Sequence, residues 1–204
     1  WSGLGLQFDC MVWITTEHSV GSVHKFEILE SDLGVYIHNK NTSMLVQPQT
    51  MLPTSNRSVL SPENITLFSG GTMGAEAFFG EVAASVGIRE VNFTFEGHEQ
   101  KRTVGRTLLN EKELTIGSTS LSYVSNVLNR NWKRTENLQK VVQVLWHIVS
   151  HSDQMFVVGT IQPDGTVHGG TGWSVELAKR WYKPIWVFDQ SQSAWFHWNG
   201  QVWE

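Results

Sequence analysis

The 204-residue chain has one cysteine, Cys10, which leaves it no intrachain disulfide and no cysteine-cluster metal site. Charged residues are only 17% of the total and the net charge is −4, whereas general nucleic-acid binders carry a basic excess. No apolar run approaches the roughly 18 residues of a membrane span. These shortages predict a cytoplasmic protein with no membrane partner, and we assign it no metal and no cofactor.

Hydrophobic residues are abundant: they make up 40% of the chain and include 10 Trp and 10 Phe. This composition is typical of a globular domain. Two units are predicted: a small β-rich N-terminal segment, 1–60, and a main domain, 61–204. Short β-rich stretches occupy much of the first unit, at 8–15, 24–29, 34–38 and 43–47. The alternative for the first stretch is that it forms a strand of the main sheet.

From Ile65 onward, strand and helix patterns alternate. The predicted strands are 65–68, 91–95, 155–159, 185–189 and an edge strand, 194–198. The predicted helices are 75–86, 121–132, 138–149 and 174–182. Such alternation predicts an α/β fold with a doubly wound, mostly parallel sheet and helices on both faces. The polar stretch 97–120 is predicted to be a long loop and a candidate lid. If it folds over the pocket, Lys101, Arg102 and Arg106 would face a phosphate; the alternative is that they form a solvated loop face.

Two glycine-rich loops each follow a strand and precede a helix. The first is Ser69-Gly70-Gly71-Thr72-Met73-Gly74, and the second is Gly169-Gly170-Thr171-Gly172. Glycine lets backbone N–H groups approach a ligand closely, and a helix N-terminus favours an anion. Ligands of α/β sheets bind beyond the carboxyl ends of the strands, so both loops predict one pocket for a phosphorylated ligand. The simpler reading is that these are tight turns with helix caps.

Both loops resemble motifs of one superfamily of Rossmann-like nucleotide-binding domains, which includes the LOG phosphoribohydrolases, the DNA-processing protein A and the molybdenum-cofactor carriers. The second loop and its helix, 169–176, resemble the LOG motif Gly-Gly-x-Gly-Thr-x-x-Glu except that Trp173 replaces the Thr. The resemblance covers about residues 65–190 and implies a homodimer or a higher homo-oligomer. In the LOG branch it also implies cleavage of an N-glycosidic bond by the motif Glu, here Glu176, with an upstream Arg.

That Arg should lie on the helix before strand 155–159, where this chain has none; Arg130 and Arg134 come earlier. Glu176 could act as a general acid or base, or simply stabilise the helix dipole. Trp173 is the candidate for a ring that packs on the ligand. The predicted ligand-binding residues are Ser69, Gly70, Gly71, Thr72, Gly74, Glu76, Gly159, His168, Gly169, Gly170, Thr171, Gly172, Trp173 and Asp189.

The predicted function is binding of a nucleotide or related phosphorylated ligand between the two loops, with N-glycosidic hydrolysis as the reaction that the resemblance implies. Three alternatives remain open from sequence. A nucleotide-sensing or carrier module would use the same pocket without turnover. A single-stranded DNA-binding protein would need a basic groove. A structural or assembly protein would keep the fold without the ligand.

Overall fold

The computed structural model describes residues 10–16, 26–31, 34–39 and 61–204, with the backbone alone for the part before residue 61. The strands are β1 Cys10–Thr16, β2 Phe26–Ser31, β3 Gly34–Asn39, β4 Ile65–Ser69, β5 Arg89–Thr94, β6 Arg106–Leu108, β7 Gln154–Gly159, β8 Ile185–Asp189 and β9 Ala194–His197. The helices are α1 Ala75–Ser85, α2 Glu111–Ile116, α3 Leu121–Leu128, α4 Glu136–His151 and α5 Thr171–Arg180. A 3₁₀ turn, Pro62–Asn64, leads into β4.

A seven-stranded sheet in the order β6-β5-β4-β1-β7-β8-β9 organises the molecule. Strands β4, β5 and β6 pair in parallel, as do β7 and β8. Strand β1 lies antiparallel between β4 and β7, and β9 is antiparallel to β8. The α/β class is therefore confirmed, but the sheet is mixed rather than mostly parallel, because a strand from the N-terminal part enters its centre.

Strand β1 falls on the predicted stretch 8–15 and forms part of the main sheet, which was the alternative left open for it. The boundary at residue 60 therefore does not separate this strand from the domain. Strands β2 and β3 form a two-stranded antiparallel sheet of their own. The predicted strand 43–47 lies outside the described residues.

Apolar side chains of the sheet alternate between two faces, because successive strand residues point to opposite sides. On one face Phe68, Met155 and Val157 join the large core formed with α4 and α5. On the other face Leu67 packs with Ala83 of α1, and Phe156 lies against the same small cluster. Helices therefore cover parts of both faces.

The stretch 97–120 is more ordered than predicted, because it contains both β6 and α2. Helix α2 begins with a capping box: the Asn110 side chain accepts from the backbone N–H of Glu113, and the Glu113 carboxylate accepts from that of Asn110. That pattern of Asn followed three residues later by Glu is visible in the sequence. Within the described residues, no helix has the length and hydropathy that crossing a bilayer requires.

Candidate functional site

The first glycine loop is held by hydrogen bonds at the end of β4. The Ser69 hydroxyl, 1% exposed, donates to the side-chain oxygen of Asn92 and accepts from the backbone N–H of Gly71 at 3.0 Å. Gly71 has φ +65°, and an added Cβ would lie 2.6 Å from the carbonyl oxygen of Arg102. Gly74 has φ +111° at the N-cap of α1. Ser69, Gly71 and Gly74 thus shape the loop.

Residues 100–102 lie across this loop as a strap. The Gln100 side chain donates to the carbonyl of Gly70 at 2.8 Å, and the backbone N–H groups of Lys101 and Arg102 both donate to the carbonyl of Gly71 at 2.9 Å. The Arg102 guanidinium forms two hydrogen bonds of 2.5 Å with the Glu90 carboxylate, whose side chain is 1% exposed. This hydrogen-bonded carboxylate raises the pKa of Arg102. Arg102 is therefore held by Glu90 beside the loop rather than exposed on a solvated loop face.

Glu76 lies in the first turn of α1 and is 5% exposed. Its Oε2 accepts from the backbone N–H of Thr72 at 2.8 Å and from the Thr72 hydroxyl at 2.7 Å. Burial raises the pKa of Glu76, and the hydrogen bonds from Thr72 and the backbone of Gly70 only partly oppose it. The result is a fixed, buried carboxyl group with an increased tendency to hold a proton.

The second glycine loop enters α5 directly. This helix begins at Thr171, three residues before the predicted start, so its first turn lies inside the glycine motif. Gly169 has φ +73°, and its carbonyl accepts from Arg130 Nη1 at 2.7 Å. At Gly172 an added Cβ would overlap the carbonyl oxygen of Val167, whereas at Gly170 it would meet nothing within 4 Å. Gly170 is thus the position where the backbone opens to solvent space.

A cavity of about 150 Å³ lies between the two loops. Five of the predicted residues line it: Gly70, Thr72, Glu76, Gly170 and Thr171. His98 and one face of α4 complete the lining, with Val141, Val144, Leu145 and Ile148. The two loops, about 100 residues apart in sequence, therefore meet around one space.

His98 and the α4 face were not among the predicted site residues. His98 stacks on Phe95 with ring centroids 4.8 Å apart, and its Nδ1 lies 3.0 Å from the Thr94 hydroxyl. Burial lowers the pKa of His98, and the nearby charge of Glu99 opposes this only in part. The α4 positions have the spacing of an ordinary core face, so nothing in the sequence distinguishes them as pocket residues. His98 could have been found only as part of the polar stretch after β5.

Two of the predicted residues point elsewhere. Trp173 is 3% exposed and packs in the main core, so its ring has no surface for a ligand to stack on, contrary to the prediction. Glu176 is not among the cavity-lining residues; its carboxylate pairs with Lys179 at 2.9 Å. The Lys179 ammonium also lies 4.0 Å from the centroid of the Trp198 ring and 5.1 Å from that of Trp203. Glu176 thus belongs to a cluster that joins α5 to the C-terminal strand region.

The remaining predicted residues support the second loop. Gly159 ends β7, and its carbonyl accepts from the backbone N–H of Gln190. Burial alone would raise the pKa of Asp189, but hydrogen bonds from Ser191, the backbone N–H of Ile161 and Gln192 outweigh it, and the pKa lies below its usual value. His168 is exposed, and its backbone N–H donates to the carbonyl of Thr160.

The arginine that the resemblance implies has no counterpart on α4, whereas Arg130, just after α3, reaches the second loop. Besides Gly169, its guanidinium contacts the side-chain oxygen of Gln162 at 3.4 Å. Arg130 therefore contacts the loop's backbone carbonyl and is not among the residues that line the cavity.

Comparison with protein-family models, with curated proteins and with solved structures gives no match, so the functional argument rests on the geometry of the cavity.

Proposed function

We propose that this chain binds a nucleotide or a related phosphorylated small molecule in the cavity between the loops 69–76 and 169–172. The observation that carries the proposal is that Gly70, Thr72, Gly170 and Thr171 line a single space. A phosphate there would meet backbone N–H groups and the positive N-terminal end of α5, which begins at the cavity. None of the described residues that line the cavity is Lys or Arg, so the backbone would supply the attraction.

The strand order supports a Rossmann-like arrangement as part of this proposal. Parallel strands β4 and β5 extend to one side of β1, and parallel strands β7 and β8 extend to the other. The loops that follow β4 and β7 therefore leave the sheet at the same edge, on either side of its centre. In open α/β sheets this reversal of strand order is where ligands bind.

Binding without turnover is the form of this function that the site favours. The LOG-type glutamate position, Glu176, is held in an ion pair with Lys179, and the Arg130 guanidinium contacts the loop backbone. Neither residue lines the cavity. A sensing or carrier module needs only the cavity, whereas N-glycosidic hydrolysis of the LOG type would need the motif glutamate, Glu176, to face the bond.

The test is thermal stabilisation of the purified chain by nucleoside mono-, di- and triphosphates, cyclic nucleotides, ADP-ribose and ribose 5-phosphate. A ligand at about 100 times its dissociation constant is expected to add about 2.7 kcal/mol to the free energy of unfolding. Chromatography of the same mixtures measures released base. We expect stabilisation by at least one of these ligands and no base release.

Gly170→Asp is the variant that isolates the cavity. Its φ of −62° suits any residue and an added Cβ meets nothing, so the fold should tolerate the change while a carboxylate enters the ligand space. Asn137→Asp, which adds the same charge at an exposed position of α4, is the matched control. Stabilisation should disappear in Gly170→Asp and persist in Asn137→Asp. Equal stabilisation of both variants, or none of the wild type by any ligand, would refute the proposal.

A further inference from the structure

The cavity has room for one ring. Its volume is about 150 Å³, whereas pockets that enclose a whole drug-sized ligand measure about 300–1,000 Å³. A cavity of about 150 Å³ in another protein holds a single benzene ring. A complete nucleotide has a phosphate, a pentose and a base, so at most one of its ring systems can lie inside.

The walls suit a pentose better than a base. None of the described lining residues is Phe, Tyr or Trp, and the floor is an aliphatic face of α4, including Val144 and Ile148. Bases are bound most often by stacking on aromatic side chains, and Trp173 is buried in the core instead. A sugar ring needs an apolar surface for its C–H groups and a fixed polar group for its hydroxyls.

Glu76 is that polar group. Thr72 fixes one carboxyl oxygen with two hydrogen bonds, so the orientation of the carboxyl group is set before a ligand arrives. A carboxylate that receives the ribose 2′-hydroxyl is the usual arrangement in dinucleotide-binding folds, although there it lies at the end of a later strand. Burial raises the pKa of Glu76, which lessens its repulsion of a nearby phosphate.

We infer that the cavity holds the ribose ring of the ligand, with its hydroxyls on the Glu76 carboxyl group, its phosphate at the start of α5 and its base outside. This inference rests on the proposed function and narrows it to ribonucleotides and ribose phosphates that are selected by sugar rather than by base. Besides Glu76, the polar residues among the described cavity lining are His98, Thr72 and Thr171.

Isothermal titration calorimetry with ribose 5-phosphate, AMP, CMP and 2′-deoxy-AMP tests the inference. AMP and CMP should bind within about fivefold of each other, and 2′-deoxy-AMP about tenfold more weakly than AMP, because the hydrogen bond between the 2′-hydroxyl and the buried Glu76 carboxyl group is lost. Glu76→Gln keeps an acceptor for Thr72 but replaces the second carboxyl oxygen by an NH₂ donor, so it should weaken the preference for AMP over 2′-deoxy-AMP. Glu81→Gln, the same change at an exposed position of α1, should keep it.

Three results would overturn the assignment of the ring and leave the proposed function standing: equal affinity for AMP and 2′-deoxy-AMP, a preference above about twentyfold between AMP and CMP, or full retention of sugar discrimination in folded Glu76→Gln. Failure of every phosphorylated probe to bind would overturn both. If circular dichroism shows Glu76→Gln to be unfolded, the wild-type comparison of AMP, CMP and 2′-deoxy-AMP still decides the question.

Discussion

Removing one partner of the ion pair between Arg102 and Glu90 should be one of the most destabilising single changes near the site. The Glu90 side chain is 1% exposed and that of Arg102 14% exposed, with two hydrogen bonds of 2.5 Å between them. Arg102→Met would leave the Glu90 carboxylate buried without its cation. Removing one partner of such a pair costs about 3–5 kcal/mol, and the partial exposure of Arg102 places the expected loss near 3 kcal/mol.

The assay is urea unfolding followed by tryptophan fluorescence and far-ultraviolet circular dichroism. In a thermal melt of the same variant, a loss of about 3 kcal/mol corresponds to a fall of roughly 6–12 °C in melting temperature for a domain of this size. The double variant Arg102→Met/Glu90→Leu removes both charges, and Asn92 keeps its 2.6 Å hydrogen bond to the carbonyl of Val104. Because paired apolar replacements are often neutral, it should recover most of the stability.

The control is Lys140→Met, which breaks ion pairs with Glu111 and Glu136, both of whose side chains are mostly exposed. Exposed pairs contribute little, so this variant should unfold close to the wild-type midpoint. If Arg102→Met is as mild as Lys140→Met, or if the double variant is no more stable than Arg102→Met, the reasoning about a buried charge is refuted.

Three further outcomes can be measured. Gly172→Ala should lower the free energy of unfolding by about 1–3 kcal/mol in urea titrations, because its Cβ would overlap the carbonyl of Val167. Gly170→Ala should change the free energy of unfolding little, because its Cβ meets nothing, and equal losses in the two variants would contradict the geometry. Trp173→Ala should cost about 3–5 kcal/mol as a core cavity, and in conditions where it folds, calorimetry should find ligand affinity nearly unchanged. Burial lowers the pKa of His147, so near pH 6 the unfolded state binds more protons than the folded state. The free energy of unfolding should therefore fall as the pH drops below about 6.5. His147→Gln should make this fall shallower, and an unchanged slope would show that His147 titrates normally.

Local patterns in the sequence predict much of the fold. Helix α4 and strands β4, β7 and β8 lie close to their predicted positions, since their apolar periodicity is clear. The position of β1 between β4 and β7 is a matter of long-range pairing, which no local pattern encodes. Helix α2 was missed because its short apolar pattern is weak, although its capping box is a local feature.

For the site too, local patterns in the sequence predict some features, whereas features set by long-range packing could not be predicted. The meeting of the two glycine loops could be predicted, because loops that follow parallel strands of one sheet leave it at the same edge. The side-chain directions of Trp173 and Glu176 could not, because they depend on where α5 begins, and it begins inside the glycine motif. Trp173 is therefore the third residue of α5 instead of a loop residue before it, and it packs in the core. The α4 floor could not be predicted because pocket and core have the same composition.

The central place of β1 has a consequence for how the chain folds. Trp13 pairs with Phe68 on one side and with Met155 on the other, so the strand joins partners far away along the chain. Contacts of such long separation are slow to form, and during synthesis the pairing of β1 with β7 must wait until β7 has left the ribosome. Until then the side of β1 that pairs with β7 is an unpaired strand edge, which is a template for pairing with other chains. Removal of β1 should therefore divide the sheet at its middle and lead to aggregation.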